Sequence, residues 1–317
     1  MPHRVKFQSL PTEAINPSTL ALDKLSADEI VELMLAEDRR MLIAVQKERA
    51  RIATGVELIV EALRKGGRIL FVGAGTSGRL GLLESAEMPP TFGTDPSLVQ
   101  AIMAGGRSAI LIPKDGVEDH YEEGSRAMAR VRPTKKDIVI GVSASGMTPF
   151  VRGGLTSARK ARARIIFVTC DPKTELQMFV DLTIAPGVGP EVIAGSTRLK
   201  AGTATKLVLN MLTTAAMVRI GKTYGNLMID VHPGSEKLKE RARRIVNIVT
   251  DLDADEADKL LRKAHWNVKA AIVMQQASIP YVKALSRIRK AHDSMRVALG
   301  EDIEPRLRAL LDSTPSE

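Results

Sequence analysis

The sequence predicts an α/β protein: a mainly parallel sheet covered by helices on both faces, followed by a small all-helical region. Three observations lead there. Short apolar runs (RILFVG, LVQAIMAGG, DIVIGVS, RIIFVTC and VDLTIAP) alternate with helical stretches, the rhythm of a parallel sheet with helical crossovers. From Glu236 onward only helical patterns occur. The chain has 317 residues, 44% of them hydrophobic, enough for one large packed domain and a smaller one.

In chain order, residues 1–65 form an N-terminal helical segment. Apolar residues recur there at helical spacing (Ile30, Leu33, Met34, then Val45, Ile52, Val56, Ile59, Leu63), and Ser26 with Glu29 spells a capping box. Gly66 and Gly67 lead into the first strand of an α/β domain over 66–235. After that strand the residues Leu80 to Pro90 form a short helix that Pro89 and Pro90 stop. Gly202 to Gly221 reads as one strongly apolar buried helix, and YGNLMIDVHPGSEKL punctuates the chain after it. Over 236–317, KLKERARRIVNIVT, ADEADKLLRKA and NVKAAIVMQQA predict a three-helix unit with an appended helix.

Composition excludes several functions. A net charge of +9 is compatible with anionic ligands, but the basic residues are scattered and aromatics are only 3%, so no nucleic-acid surface is expected. The densest cluster, SARKARARIIFV, reads as a solvated helix face ending before a strand. One cysteine, Cys170, and dispersed histidines offer neither a disulfide nor zinc spacing. The N-terminal MPHRVKFQSLPTEAINP lacks the apolar core of a signal peptide, and LVLNMLTTAAMV is too short to span a bilayer. The expectation is a cytoplasmic protein with no membrane contact and no metal.

In an open parallel sheet ligands bind beyond the carboxyl ends of the strands, so the residues after each apolar run bear on function. Here they are alike: AGTSGR, SASGMTP and AGSTRLKAGTATK are rich in Ser, Thr and Gly. Backbone N–H groups and hydroxyls at a helix start suit a phosphate. Gly73, Gly75 and Gly78 also match G-x-G-x-x-G, but a dinucleotide site needs a longer helix and an acidic residue ending the next strand, where this chain has MAGG. Glu87 sits where the double proline turns the chain, beside a phosphate loop. A second acidic cluster, PKDGVEDHYEEG, offers Asp115, Glu118 or Asp119 as a partner carboxylate.

Taken together, TEAINPSTLALDKLSADEI, GAGTSGRLGLLESAEMPPTFG, MAGG, DGVEDHYEEG, SASGMTPFV, GSTRLKAGTATKLVLNML, YGNLMIDV and SEKLKERARRIV resemble the N-acetylmuramic acid 6-phosphate etherases, a family of the sugar-isomerase (SIS) domain superfamily. The resemblance implies a SIS-type sheet and a ubiquitin-associated-like helical unit around Asp255 to Ala277. It also implies cleavage of a D-lactyl ether without metal or cofactor. By motif, Glu87 of SAEMPP is the catalytic proton donor and Glu118 of DGVED the second carboxylate. Phosphate and sugar contacts fall on Thr76, Ser77 and Gly78, on Ser143, Ser145, Gly146 and Thr148, and on Ser196, Thr197 and Lys200. SIS domains commonly pair, so a homodimer is expected. The chain departs from the family pattern at Met88, often cysteine, at Thr205, usually glutamine, and in HPGS (His232 to Ser235). A related non-catalytic role, sugar-phosphate-dependent regulation of a kinase, gives no chemical reason for a pair of carboxylates.

Overall fold

The computed structural model describes residues 10–231 and 233–312; His232 of HPGS and residues 1–9 of the N-terminal segment lie outside them. The chain divides into two compact units, one of Met1–Ser85 with Ser97–Thr214, the other of Ala86–Pro96 with Ala215–Glu317.

The first unit opens with α1 (Ala27–Lys47) and α2 (Arg49–Arg64). The predicted capping box is present: the Glu29 amide donates to Ser26 Oγ at 3.4 Å, and the Ser26 amide to Glu29 Oε2 at 2.7 Å. Five parallel strands come next: β1 (Ile69–Gly73), β2 (Val99–Met103), β3 (Ile138–Val142), β4 (Arg164–Val168) and β5 (Leu182–Ile184), ordered β2-β1-β3-β4-β5. Every residue of β1 and β3 is buried, which their unbroken apolar runs require. At the base of these two strands, Asp137 accepts from the Arg68 amide at 2.8 Å, Arg68 Nη2 at 2.9 Å and the Thr134 amide at 2.8 Å.

Helices α3 (Gly75–Phe92), α4 (Tyr121–Arg130), α5 (Pro149–Lys160) and α6 (Lys200–Arg219) connect or follow the strands. Leu155, Val151 and Phe150 of α5 pack with Val72, Val139 and Phe167 of the sheet in one core. Helices α4 and α5 approach so closely that a Cβ on Gly153 would lie 1.9 Å from the Tyr121 carbonyl, and one on Gly124 1.9 Å from that of Phe150. Cys170 is buried after β4, and its desolvation pushes the thiol up to about 12.

Two expectations are corrected. Pro89 and Pro90 do not stop a short helix: α3 begins at Gly75 and runs through both to Phe92. Proline removes an N–H donor but keeps its carbonyl, and the Pro89 carbonyl closes the last turn by accepting from the Gly93 amide at 3.0 Å. Beyond Ser235 the described residues form six helices, not four: α7 (Glu236–Thr250), α8 (Ala254–Lys263), α9 (Val268–Ala277), α10 (Tyr281–Lys290), α11 (Met295–Leu299) and α12 (Glu304–Asp312). His292 and Asp293 adopt positive φ (51° and 63°) and interrupt the long pattern that reads as one helix. These helices share a core of Val246, Leu261, Ile272, Val273 and Ala284. No helix among the described residues is long and apolar enough to cross a membrane.

Candidate active site

The strand order decides where a ligand fits. The chain leaves β1 for β2 on one side and returns to β3 on the other, so β1 and β3 form the switch point beyond whose carboxyl ends ligands of such sheets bind. Gly73 and Val142, the last residues of these strands, are register partners, and the AGTSGR and SASGMTP loops leave side by side.

In the first loop, glycine permits a close turn. A Cβ on Gly73 would lie 2.7 Å from the Gly78 amide nitrogen, and one on Gly78 would lie 2.9 Å from the Gly73 carbonyl. Thr76 and Ser77 sit on the first turn of α3, half-buried, and among the described residues their hydroxyls bond to no protein group. The second loop is more internally tied. Buried Ser143 and half-buried Thr148 share a hydrogen bond of 2.7 Å between their hydroxyls, and the Gly146 amide donates to the Ser143 carbonyl at 3.0 Å. Thr174 Oγ1 donates to the Gly146 carbonyl at 3.0 Å, holding the positive φ (74°) of that glycine. Half-buried Ser145, at the centre of this turn, has a hydroxyl with no partner among the described residues.

The third loop joins the first. A Cβ on Gly202, in the first turn of α6, would lie 3.3 Å from the Thr197 carbonyl and 3.5 Å from Thr76 Cγ2. Ser196 and Thr197 are half-buried with free hydroxyls, again among the described residues. Lys200 differs from the direct contact that the resemblance implies. Its side chain is buried, and its ammonium is taken by Glu37 of α1, whose carboxyl is also buried. Burial pushes the Glu37 carboxyl up, but the Lys200 hydrogen bond and charge outweigh this and hold it below the usual carboxylate range. Glu191 accepts from the Lys200 and Ala201 amides at 3.1 and 2.9 Å, fixing the N-terminus of α6. Burial raises the Glu191 carboxyl despite those bonds.

Both proposed catalytic carboxylates are exposed in the single chain. Glu118 lies in the 3₁₀ turn Val117–Asp119 ahead of α4, and Glu87 lies on α3 beyond Thr76 to Gly78. The sequence reading missed Glu84, a carboxylate with 1% exposure on α3. Lys206 Nζ and Asn210 Nδ2 donate to its Oε1 at 2.7 and 2.9 Å, and Thr213 Oγ1 donates to Oε2 at 2.7 Å. The signal for it was present: Lys206, Asn210 and Thr213 recur at i, i+4 and i+7 on an otherwise apolar helix, a polar stripe that needs a partner.

The family model of the N-terminal SIS domain of glucokinase regulatory protein matches residues 51–159. Curated relatives match almost the whole chain. An N-acetylmuramic acid 6-phosphate etherase of Salinibacter ruber is 47% identical over 94% of this chain and 96% of its own. Those of Geobacillus thermodenitrificans and Trichodesmium erythraeum are 47% and 44% identical, each over 92% of this chain and over 99% and 94% of their own. With Ser-, Thr- and Gly-rich loops after β1 and β3 and 44–47% identity to curated etherases over 92–94% of its length, the chain belongs to the N-acetylmuramic acid 6-phosphate etherase family.

Proposed function

We propose that the protein cleaves the D-lactyl ether of N-acetylmuramic acid 6-phosphate, yielding N-acetylglucosamine 6-phosphate and D-lactate, by elimination followed by hydration. The near full-length identity to curated etherases carries this reading. In the open-chain sugar the carbon 2 proton lies beside the aldehyde and is acidic enough for a carboxylate to remove. The lactyl oxygen leaves carbon 3 with a proton from the second carboxyl group, giving an unsaturated aldehyde and lactate. Water then adds at carbon 3, and a proton returns to carbon 2. Glu87 as proton donor and Glu118 as the second carboxylate would carry these transfers. The free hydroxyls of Thr76, Ser77, Ser145, Ser196 and Thr197 would hold the phosphate and sugar, supported by the backbone of Gly78 and Gly146 and by the Ser143–Thr148 pair. For Lys200 the buried pairing with Glu37 favours a role behind the loop, holding Ser196 and Thr197 from α6.

The same reading includes peptidoglycan recycling in the cytoplasm, consistent with a single buried thiol. It also includes a homodimer, because Glu87 and Glu118 are exposed in one chain and a second copy would cover them and exclude water from the reaction. The SIS match to a regulatory protein favours a second reading, sugar-phosphate binding without turnover. One assay separates them: the purified protein incubated with N-acetylmuramic acid 6-phosphate in ¹⁸O-water. Etherase action releases D-lactate and leaves ¹⁸O on carbon 3 of the sugar. Binding without lactate release supports the regulator and overturns the proposal.

A further inference from the structure

Arg79 directly succeeds the Thr76–Gly78 turn on α3, and its guanidinium reaches the connection between β2 and α4. Nε donates to the Ile110 carbonyl at 2.8 Å and Nη2 to the Ala109 carbonyl at 2.9 Å. These two carbonyls end the 3₁₀ turn Arg107–Ala109, and among the described residues no other group donates to them. Nor does any carboxylate there pair with Arg79, so its charge serves these carbonyls alone.

The clamp stands at the start of a weakly held segment. Leu111 to Asp115 are exposed, Leu111 at 88% and Ile112 at 69%, and Gly116 turns the chain with φ 75° into the turn that carries Glu118. Among the described residues this stretch forms no helix or strand, only turns, until the 3₁₀ turn in which the Asp119 amide donates to the Gly116 carbonyl at 3.2 Å. On its far side the Glu118 turn is held by Val117, packed against the sheet core, and by α4. On its near side it is held by buried Ala109 and by the two Arg79 hydrogen bonds.

We propose that Arg79 is a positioning residue for Glu118, tying the loop that carries this carboxylate to the helix turn that holds the phosphate. The inference rests on the reading of Glu118 as an active-site carboxylate. A planar guanidinium donates to the two carbonyls from two nitrogens in a fixed plane, whereas an ammonium offers its donors from one freely rotating nitrogen, so the register between the two elements is set more firmly by arginine than by positive charge alone. Misplacement of a transferring group by about 1 Å costs on the order of 100-fold in rate.

The test is a double-mutant cycle in the full-length protein with N-acetylmuramic acid 6-phosphate as substrate. Arg79→Gln should melt close to wild type and keep its KM within about threefold, while kcat falls at least about tenfold. Arg79→Lys should lie between the two in kcat. In the Glu118→Gln background, Arg79→Gln should lower kcat by no more than about twofold, because the residue it positions has lost its function. A wild-type kcat for Arg79→Gln, or the same full loss repeated in the Glu118→Gln background, overturns the inference. If Arg79→Gln does not fold, Arg79→Lys is carried through the same cycle and judged by the same additivity. A fully active Glu118→Gln is a separate outcome: it removes the role of Glu118 itself, and the inference with it.

Discussion

Glu84 and Glu87 stand three residues apart on α3 in opposite surroundings. Glu84 has 1% exposure and three side-chain donors, whereas Glu87 is exposed and makes no comparable bonds among the described residues. Chemistry and stability should therefore separate between them. Glu87→Gln keeps the shape and removes the transferable proton, so it should melt like wild type and bind N-acetylglucosamine 6-phosphate normally while turnover falls at least ~100-fold. A folded Glu87→Gln protein with near-normal turnover would return this carboxylate to an ordinary surface charge. Glu84→Gln should instead lower stability by about 1–3 kcal/mol in a denaturant titration, because it leaves the Lys206 ammonium without its counter-charge. Ser145 tests the loop: Ser145→Ala should weaken product binding by about 1 kcal/mol, read by calorimetry, with no change in melting temperature.

At the scale of elements, the contact of α4 with α5 and the base of the sheet hold the site together. Gly153→Ala puts a methyl group 1.9 Å from the Tyr121 carbonyl, so the helices must separate; a loss of about 2 kcal/mol or more in thermal or denaturant melts is expected. Asp137 joins β1 to β3 through Arg68, and its pH dependence has a definite sign. Burial pushes this carboxyl up, but the Arg68 and Thr134 bonds outweigh it and hold it below the usual carboxylate range. Its stabilisation is therefore complete above the ordinary Asp value of about 3.9, and is lost as pH falls from there through the lowered native value. Asp137→Asn should melt lower than wild type at pH 7, and the gap should shrink at acidic pH; a gap constant down to about pH 2 would contradict the linkage. Such long-range ties are what the sequence leaves unreadable. The apolar runs of β1 and β3 and the Ser26 capping box are legible because their signals are local. Pro89 and Pro90 mislead because proline keeps its carbonyl, and the helix closes its last turn through that of Pro89. The pairing of Lys200 with Glu37, 163 residues away, has no local signature at all, so a lysine in a phosphate motif reads as a ligand until the fold shows what faces it. Arg79 escapes for the same reason, and for Glu84 the polar stripe on α6 shows that a partner is needed without saying which.

At the scale of the whole molecule, the proposed second copy has an apolar face to meet on α1. The apolar residues of α6 are largely covered within the chain, with Val208, Leu209, Leu212, Ala216 and Met217 at 0% exposure. Helix α1 instead leaves Val31, Leu35 and Leu42 more than half exposed at spacings of four and seven residues, one apolar face. Light scattering should give about twice the 34.4 kDa of one chain, and Leu35→Glu with Leu42→Glu should return a folded monomer with reduced turnover. A wild-type monomer at micromolar concentration would remove the homodimer from the proposal. Cys170 bears on how such motions and assemblies can be watched. Burial raises the Cys170 thiol well above its ordinary range, so little thiolate forms at pH 7, and the buried sulfur is out of reach of alkylating dyes. A cysteine placed at exposed Leu111 is then the only thiol a maleimide finds, and a fluorophore there reports on the loop between the Arg79 clamp and Glu118 without any native thiol being removed.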